Sequence, residues 1–476
     1  MDKPFPPRKQ YLQIRAFSFS SIRKEFFLLQ QLHAFVGTVN TYLVDYVLVF
    51  VLTGTGLFYT LRLGFLQVRK FGTGFRQTFG GMFRKKEPGE AGGISSFQAL
   101  ATAIAAQVGT GNLAGAATAI ALGGAGAIFW MWVSAFLGMA TIYAEAVLAQ
   151  RFNTEKDGQL TGGPVYYIRA AFRGAGGRVL AAAFAVLLIF ALGFIGNAVQ
   201  ANSIGYAFRA AFGLPPVWVG VGLALVAFFI FSGGLQRIAS VTQTLVPIMA
   251  FFYIAGAVYV IAVNFRNIPS AFSSIFVGAF SPQSVVGGVA GVTVQRAMRY
   301  GVARGLFSNE AGMGSTPHAH AVARVRHASE QGYVAMMGVF IDTYVILTMT
   351  ALVILTSGVL RPDGSLLGTA LTQAAFSSAL GSFGTIFIAI CMLFFAFSTI
   401  IGWYFFGEIN VKYLLGSKAV KPYAILVCAF LILGSVLRVQ LVWDLADLLN
   451  GLMVIPNLLA LVALSGLVAK LSRERR

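Results

Sequence analysis

Runs of mainly apolar residues recur along nearly the whole chain, separated by short stretches holding Gly, Pro and charge. A helix that crosses a bilayer needs about 20 such residues, whereas a membrane strand shows period-two alternation over about ten. The runs are long and lack that alternation, so the pattern predicts an all-α integral membrane protein. Helices are expected at 41–62, 97–121, 126–150, 179–208, 216–232 and 238–264, then at 276–303, broken in the middle, 331–357, 381–413, 421–437 and 441–469. Two of these eleven are weak helices at one place each: VGTGN at 108–112 and GGVAG at 287–291.

Composition supports this reading. Of the 476 residues, 57% are hydrophobic and 11% are charged, against roughly a quarter charged in a soluble domain. The mean hydropathy is +0.77. The net charge of +19 points to no nucleic acid, because the Lys and Arg residues sit mostly in alternate inter-helix loops, such as Arg84–Lys86, Arg169–Arg178 and Lys412–Lys421. By the positive-inside bias those loops and the 470–476 tail are cytoplasmic. The basic segment 1–40 disagrees with this sidedness and is read as a poorly ordered tail without the apolar core of a signal peptide. Cys391 and Cys428 lie inside apolar runs, so no disulfide or Cys/His metal framework is indicated. No phosphate-binding loop of the ATPase type occurs, and no nucleophile–base pair suggests an enzyme.

The weak places have physical meaning. Glycine weakens a helix by about 1 kcal/mol relative to alanine, and backbone groups freed in hydrocarbon cost several kcal/mol each unless something binds them. Paired interruptions in two inverted repeats mark the binding site of many transporters. With an accessory helix at 41–65 set aside, the remaining ten divide into five at 97–264 and five at 276–469, the arithmetic of a LeuT-like 5+5 inverted repeat. Gly109, Thr110, Gly111, Asn112, Gly287, Gly288 and Gly291 are then candidate cargo contacts. Free N–H groups suit a carboxylate and freed carbonyls suit a cation. Gly111 and Gly115 also satisfy small-xxx-small spacing, which serves close helix packing equally well.

Four blocks, GTGNLAGAATAIALGGAGAIFWMWVSAFLGMATIYAEAVLA (109–149), GNAVQANSI (196–204), RGLFSNEAGMGS (304–315) and FAFSTIIGWYFFGE (395–408), resemble the signatures of the alanine or glycine:cation symporter family, also called sodium:alanine symporters. The resemblance spans roughly 40–470 and implies eleven helices with a LeuT-like core. It implies that cargo meets the first broken helix together with Gln200, Thr399 and Trp403. It also implies a sodium site built from the carbonyls of Ala105 and Val108 and the hydroxyls of Ser398 and Thr399. Ala125 and His318 depart from the family pattern, where proline and isoleucine are usual; neither is an implied ligand. Thr399 and Trp403 are four apart and share a helix face. The indole would exclude larger side chains, and Tyr206, six residues after Gln200, is expected as a second wall.

Ionisable groups inside a membrane are functional candidates by default. Glu145, Arg304, Glu310 and Asp342 are expected to form an inner gate network, with a helix-end ion pair as the plain alternative. His318 and His320 are expected beside a cytoplasmic loop. The whole predicts a multi-pass symporter of a bacterial inner membrane, C-terminus cytoplasmic, moving alanine or glycine with sodium and using no cofactor. A proton-coupled carrier of the same fold and a passive channel are the alternatives.

Overall fold

The computed structural model describes residue 31 and residues 35–81, 93–281, 293–361, 365–437 and 439–474. Among the described residues the chain is helical almost throughout, with one antiparallel hairpin that pairs Thr154–Lys156 with Gln159–Thr161. In chain order the principal helices are α1 (Phe35–Arg62), α2 (Ser96–Gln107), α3 (Gly111–Gly123), α4 (Gly126–Arg151), α5 (Ala175–Phe212), α6 (Pro216–Phe231) and α7 (Gly234–Val263). After these come α8 (Val294–Asn309), α9 (Pro317–Ala321), α10 (Ala328–Ser357), α11 (Ser382–Leu415), α12 (Val420–Val436) and α13 (Val439–Ala463). Eight helices among the described residues are long and apolar enough to cross a membrane, and α3 and α6 are shorter apolar ones.

Burial separates an inner from an outer layer. In the most apolar windows of α4 and α11, 67% of residues are buried inside the protein, against 28% in α7. On α7, Phe251 and Tyr259 face outward, as do Trp218, Leu225 and Phe229 on α6, the arrangement expected of helices that meet lipid. The inner helices approach closely because their contacts are made by small residues. A Cβ on Gly301 of α8 would lie 2.3 Å from the Ala127 carbonyl of α4, and one on Gly126 would lie 2.2 Å from the backbone of Gly278. Both positions exclude any larger residue.

The start of α2 is fixed locally. Ser95 Oγ accepts from the Gln98 N–H at 3.1 Å while the Ser95 N–H donates to Gln98 Oε1 at 3.0 Å, so two of the orphan donors at a helix start are satisfied reciprocally. Ile94 pairs with the strand that leaves α9, through bonds to the Val322 carbonyl and from the Arg324 N–H. The entry to the first interrupted helix and the exit from the second are thereby tied at one end of the molecule.

Several expectations need adjustment. The first helix begins at Phe35 rather than 41, and most of the basic tail lies outside the described residues. The helix expected at 441–469 ends at Ala463, and Ser465–Arg473 follows as a separate amphipathic helix. The segment expected as one broken helix at 276–303 comprises Ile268–Phe280 and α8. Gly287, Gly288 and Gly291 lie outside the described residues. Among the described residues of this half, the helical path is interrupted at 310–316, between α8 and α9. Helices at Phe71–Gly81, Pro164–Ala171 and Gly368–Leu380 were not expected; the first carries few apolar residues, and the second, mostly apolar, is too short to read as a span.

Candidate functional site

The first interruption spans the residues between α2 and α3. Val108 leaves the helix with ψ 89°, and α3 opens with a π turn over Gly111–Gly115, a wider coil common at functional positions. The freed backbone is held by amide side chains. The Gly109 N–H donates to Asn112 Oδ1 at 3.0 Å, and the Thr110 N–H donates to Gln200 Oε1 at 3.3 Å. Thr110 Oγ1 is buried with no hydrogen-bond partner. An unpaired hydroxyl at such depth is costly, so a ligand group here would be favoured.

Gly109 is where three elements meet. A Cβ at that position would lie 2.4 Å from Thr399 Oγ1 and 3.4 Å from Gln200 Oε1. The hydroxyls of Ser398 and Thr399 both donate to the Ala105 carbonyl, at 3.2 and 3.0 Å. Three of the four oxygens expected at the ion site, those of Ala105, Ser398 and Thr399, therefore meet across the α2–α11 contact, and neutral hydroxyl and carbonyl oxygens are hard donors. Trp403 lies one turn along α11 from Thr399 and is 2% exposed. Its ring packs so near α5 that a Cβ on Gly196 would sit 2.6 Å from Cζ3. Gly196 is itself one turn before Gln200. Gln200 and Thr399 thus meet at Gly109, and Trp403 packs one turn further along α11 against the same helix α5.

The second interruption contains Glu310, Gly312 and Gly314, with φ values of 56°, 89° and 79°. Left-handed backbone of this kind suits glycine and strains a residue such as Glu310. All of 309–323 is buried, so its polar groups require internal partners. Glu145 of α4 accepts from the N–H groups of Gly312 at 3.0 Å and Gly314 at 2.9 Å, and from the Asn457 amide at 2.7 Å. Asn457 also donates to the Gly312 carbonyl and accepts from the Tyr167 hydroxyl. Asn309 Oδ1 takes the Ala311 N–H at 3.1 Å.

Asp342 joins the two interruptions. It sits in a π-helical stretch of α10, Phe340–Leu347. Its Oδ1 accepts from the Asn112 amide at 2.6 Å, and Ser308 Oγ of α8 lies 3.1 Å from both carboxylate oxygens. Thr343 Oγ1 donates to the same carboxylate at 2.8 Å.

The four residues expected to form one gate network are therefore divided. Arg304 pairs with Asp447 of α13 at 3.1 Å and stacks on Trp443, because it lies six residues before Glu310 on a different face of α8. This ion pair borders a cavity of about 580 Å³ that is also lined by Gly115, Thr118, Asn202 and Ser203. Tyr206 belongs to that cavity rather than to a wall beside Trp403 and is 49% exposed. Six residues turn a helix by 600°, so Tyr206 cannot share the face of Gln200. His318 and His320 are buried, not at a loop edge. The His318 ring lies between Phe184 and Phe406, and its nitrogens meet the Ser315 carbonyl and the Asn410 amide; His320 meets Gln331.

Ser308, Asn457 and Gln107, whose amide donates to the Asn309 carbonyl at 2.6 Å, were absent from the sequence-based set. Lone amides inside apolar runs were the available signal for the last two.

The sodium/alanine symporter AgcS of Methanococcus maripaludis is 43% identical over 437 residues, 91% of this chain and 95% of its own. A probable sodium/glutamine symporter, GlnT, of Bacillus subtilis is 42% identical over 440 residues, covering 92% and 90%. The crystal structure of MhsT in complex with L-phenylalanine superposes with a TM-score of 0.53 over 81% of this chain and 98% of that one, at 14% identity. That likeness establishes the fold as LeuT-like. The profile described as the sodium:alanine symporter family matches residues 29–474. With interrupted helices, a polar cradle between them and this relationship over nearly its whole length, the chain is a transporter and belongs to the sodium:alanine symporter family.

Proposed function

We propose that the protein imports a small neutral amino acid, alanine or glycine, across a bacterial inner membrane together with sodium, by alternating access, with its C-terminus in the cytoplasm. The observation that carries this reading is the convergence at Gly109. The interrupted backbone, Gln200 and Thr399 meet where only a residue without a side chain fits. A cargo carboxylate would take over the Thr110 N–H now held weakly by Gln200, and Trp403 would bound the space left for a side chain. Sodium would enter among the Ala105, Val108, Ser398 and Thr399 oxygens, the two hydroxyls giving their protons to the Phe395 carbonyl instead of that of Ala105. In the orientation set by the positive loops, the cavity bordered by Arg304 and Asp447 is the outer vestibule.

The energetics suffice. One charge crossing about 100 mV releases ~2.3 kcal/mol, which at ~1.4 kcal/mol per decade supports roughly 50-fold accumulation. Relatives of nearly equal identity carry names for alanine and glutamine, so relatedness alone does not set cargo size; the indole argues for the smaller one. A second reading, proton coupling, is favoured by Asp342, whose partners are the Asn112 amide and two hydroxyls. Uptake of labelled alanine into proteoliposomes, with sodium and pH gradients imposed separately, decides between them. Accumulation driven by sodium alone is expected; accumulation that needs only the pH gradient would replace sodium by a proton.

A further inference from the structure

Trp403 is held by a residue of the second interruption, 93 positions earlier in the chain. Its indole Nε1 donates to Glu310 Oε1 at 2.6 Å, a short bond to a carboxylate and therefore among the stronger ones a buried side chain can make. The second carboxylate oxygen accepts from Ser315 Oγ, five residues along the same interruption. Glu310 can reach α11 because its backbone is left-handed at the end of α8, with φ 56°, which turns the side chain away from the helical path. The rest of the ring is enclosed by apolar packing in the core, which fills space but offers its N–H no partner. Phe307 meets it edge-on at 6.3 Å, and Gly196 offers a flat surface without a side chain. The ring's only polar atom is the one that Glu310 holds.

The geometry points to Glu310 as a positioning residue that sets the placement of the Trp403 indole and thereby the upper size limit of the cargo. This rests on the reading of Trp403 as a wall of the cargo site. It also gives the second interruption a role in selectivity while the first supplies the cradle.

Reach, rather than charge, is what the proposal requires. Glu310→Asp keeps the carboxylate but withdraws it by one carbon–carbon bond, about 1.5 Å; Glu310→Gln keeps the reach and an acceptor oxygen. Inhibition of labelled alanine uptake by unlabelled alanine, serine, valine and leucine would be measured in proteoliposomes. Discrimination by one or two methylenes is worth about 10- to 200-fold, so Glu310→Asp is expected to raise the valine-to-alanine preference about tenfold, with Glu310→Gln within about twofold of the parent. In a Trp403→Ala background, Glu310→Asp should add nothing. An unchanged preference in Glu310→Asp, an equal shift in Glu310→Gln, or a further shift on top of Trp403→Ala overturns the proposal. Should Glu310→Asp not reach the membrane folded, Ser315→Ala, which frees one carboxylate oxygen, must move the preference the same way by a smaller factor; no movement overturns it equally. If Trp403→Ala itself leaves selectivity unchanged, the wall reading fails. If Trp403→Ala broadens selectivity and Glu310→Asp does not, only the positioning role fails.

Discussion

The two interruptions solve the same physical problem with different chemistry. Around Val108–Asn112 the freed N–H groups meet neutral amide oxygens from Asn112 and Gln200, and one buried hydroxyl is left without a partner. Around Glu310–Thr316 they meet the carboxylate of Glu145 and the amide oxygen of Asn309, while the Gly312 carbonyl accepts from the Asn457 amide. A neutral amide is an acceptor that a charged ligand can displace, whereas a carboxylate receiving three donors is a permanent fixture. The first interruption is built to exchange partners and the second to keep them.

The largest effect that would test this contrast is removal of the fixture. Glu145→Ala leaves the Gly312 and Gly314 N–H groups unpaired, at about 1–3 kcal/mol each, and removes one of the two bonds that the Asn457 amide donates. The variant should lose most of its thermal stability in detergent and all uptake, with Glu145→Gln intermediate. Wild-type melting of Glu145→Ala would show that the second interruption is not held by charge.

At the first interruption, Gly109→Ala should keep the fold yet reduce alanine uptake about 100-fold, since its methyl would meet Thr399 Oγ1 at 2.4 Å and displacement of a site by an ångström costs about that much. Gly115→Ala, whose nearest foreign atom is 3.9 Å away, is the matched control and should transport normally. Equal losses in the two would reduce the motif to helix packing.

Next in size, Ser398→Ala with Thr399→Ala should raise the half-saturating sodium concentration about tenfold, the loss of roughly one charge-assisted contact, with the maximal rate at saturating sodium largely kept. An unaltered sodium curve removes these hydroxyls from the ion site. Smallest is Arg304→Gln, which breaks a partly exposed ion pair worth less than about 1 kcal/mol. It should change apparent cargo affinity by no more than a few-fold, measured as the concentration dependence of uptake.

The contrast also explains what could be read from sequence. Span limits set by Gly and charge were legible: 126–150 against Gly126–Arg151, and 381–413 against Ser382–Leu415. The first interruption was legible as well, because VGTGN is poor helix inside an apolar run. The second was hidden by its own chemistry. Arg296, Arg299 and Arg304 make α8 a poor apolar run, so hydropathy drew the span toward earlier residues, and a stretch carrying Glu310 and Ser315 looks like a loop rather than buried backbone. Partner choice was the least accessible. Glu310 and Arg304 are near in sequence, but what each bonds lies about 90 and 140 residues away, and no local pattern encodes that distance.

The Arg304–Asp447 pair leaves about a fifth of each side chain exposed to the vestibule, and this has a consequence for how the protein responds to its surroundings. Screening shortens the reach of such a pair from about 10 Å at 0.1 M salt to about 3 Å at 1 M. In the orientation proposed, the electrolyte outside is also the source of the driving ion. Salt outside would then act in two places, at the proposed ion site and, more weakly, on a partly buried ion pair that borders the cavity.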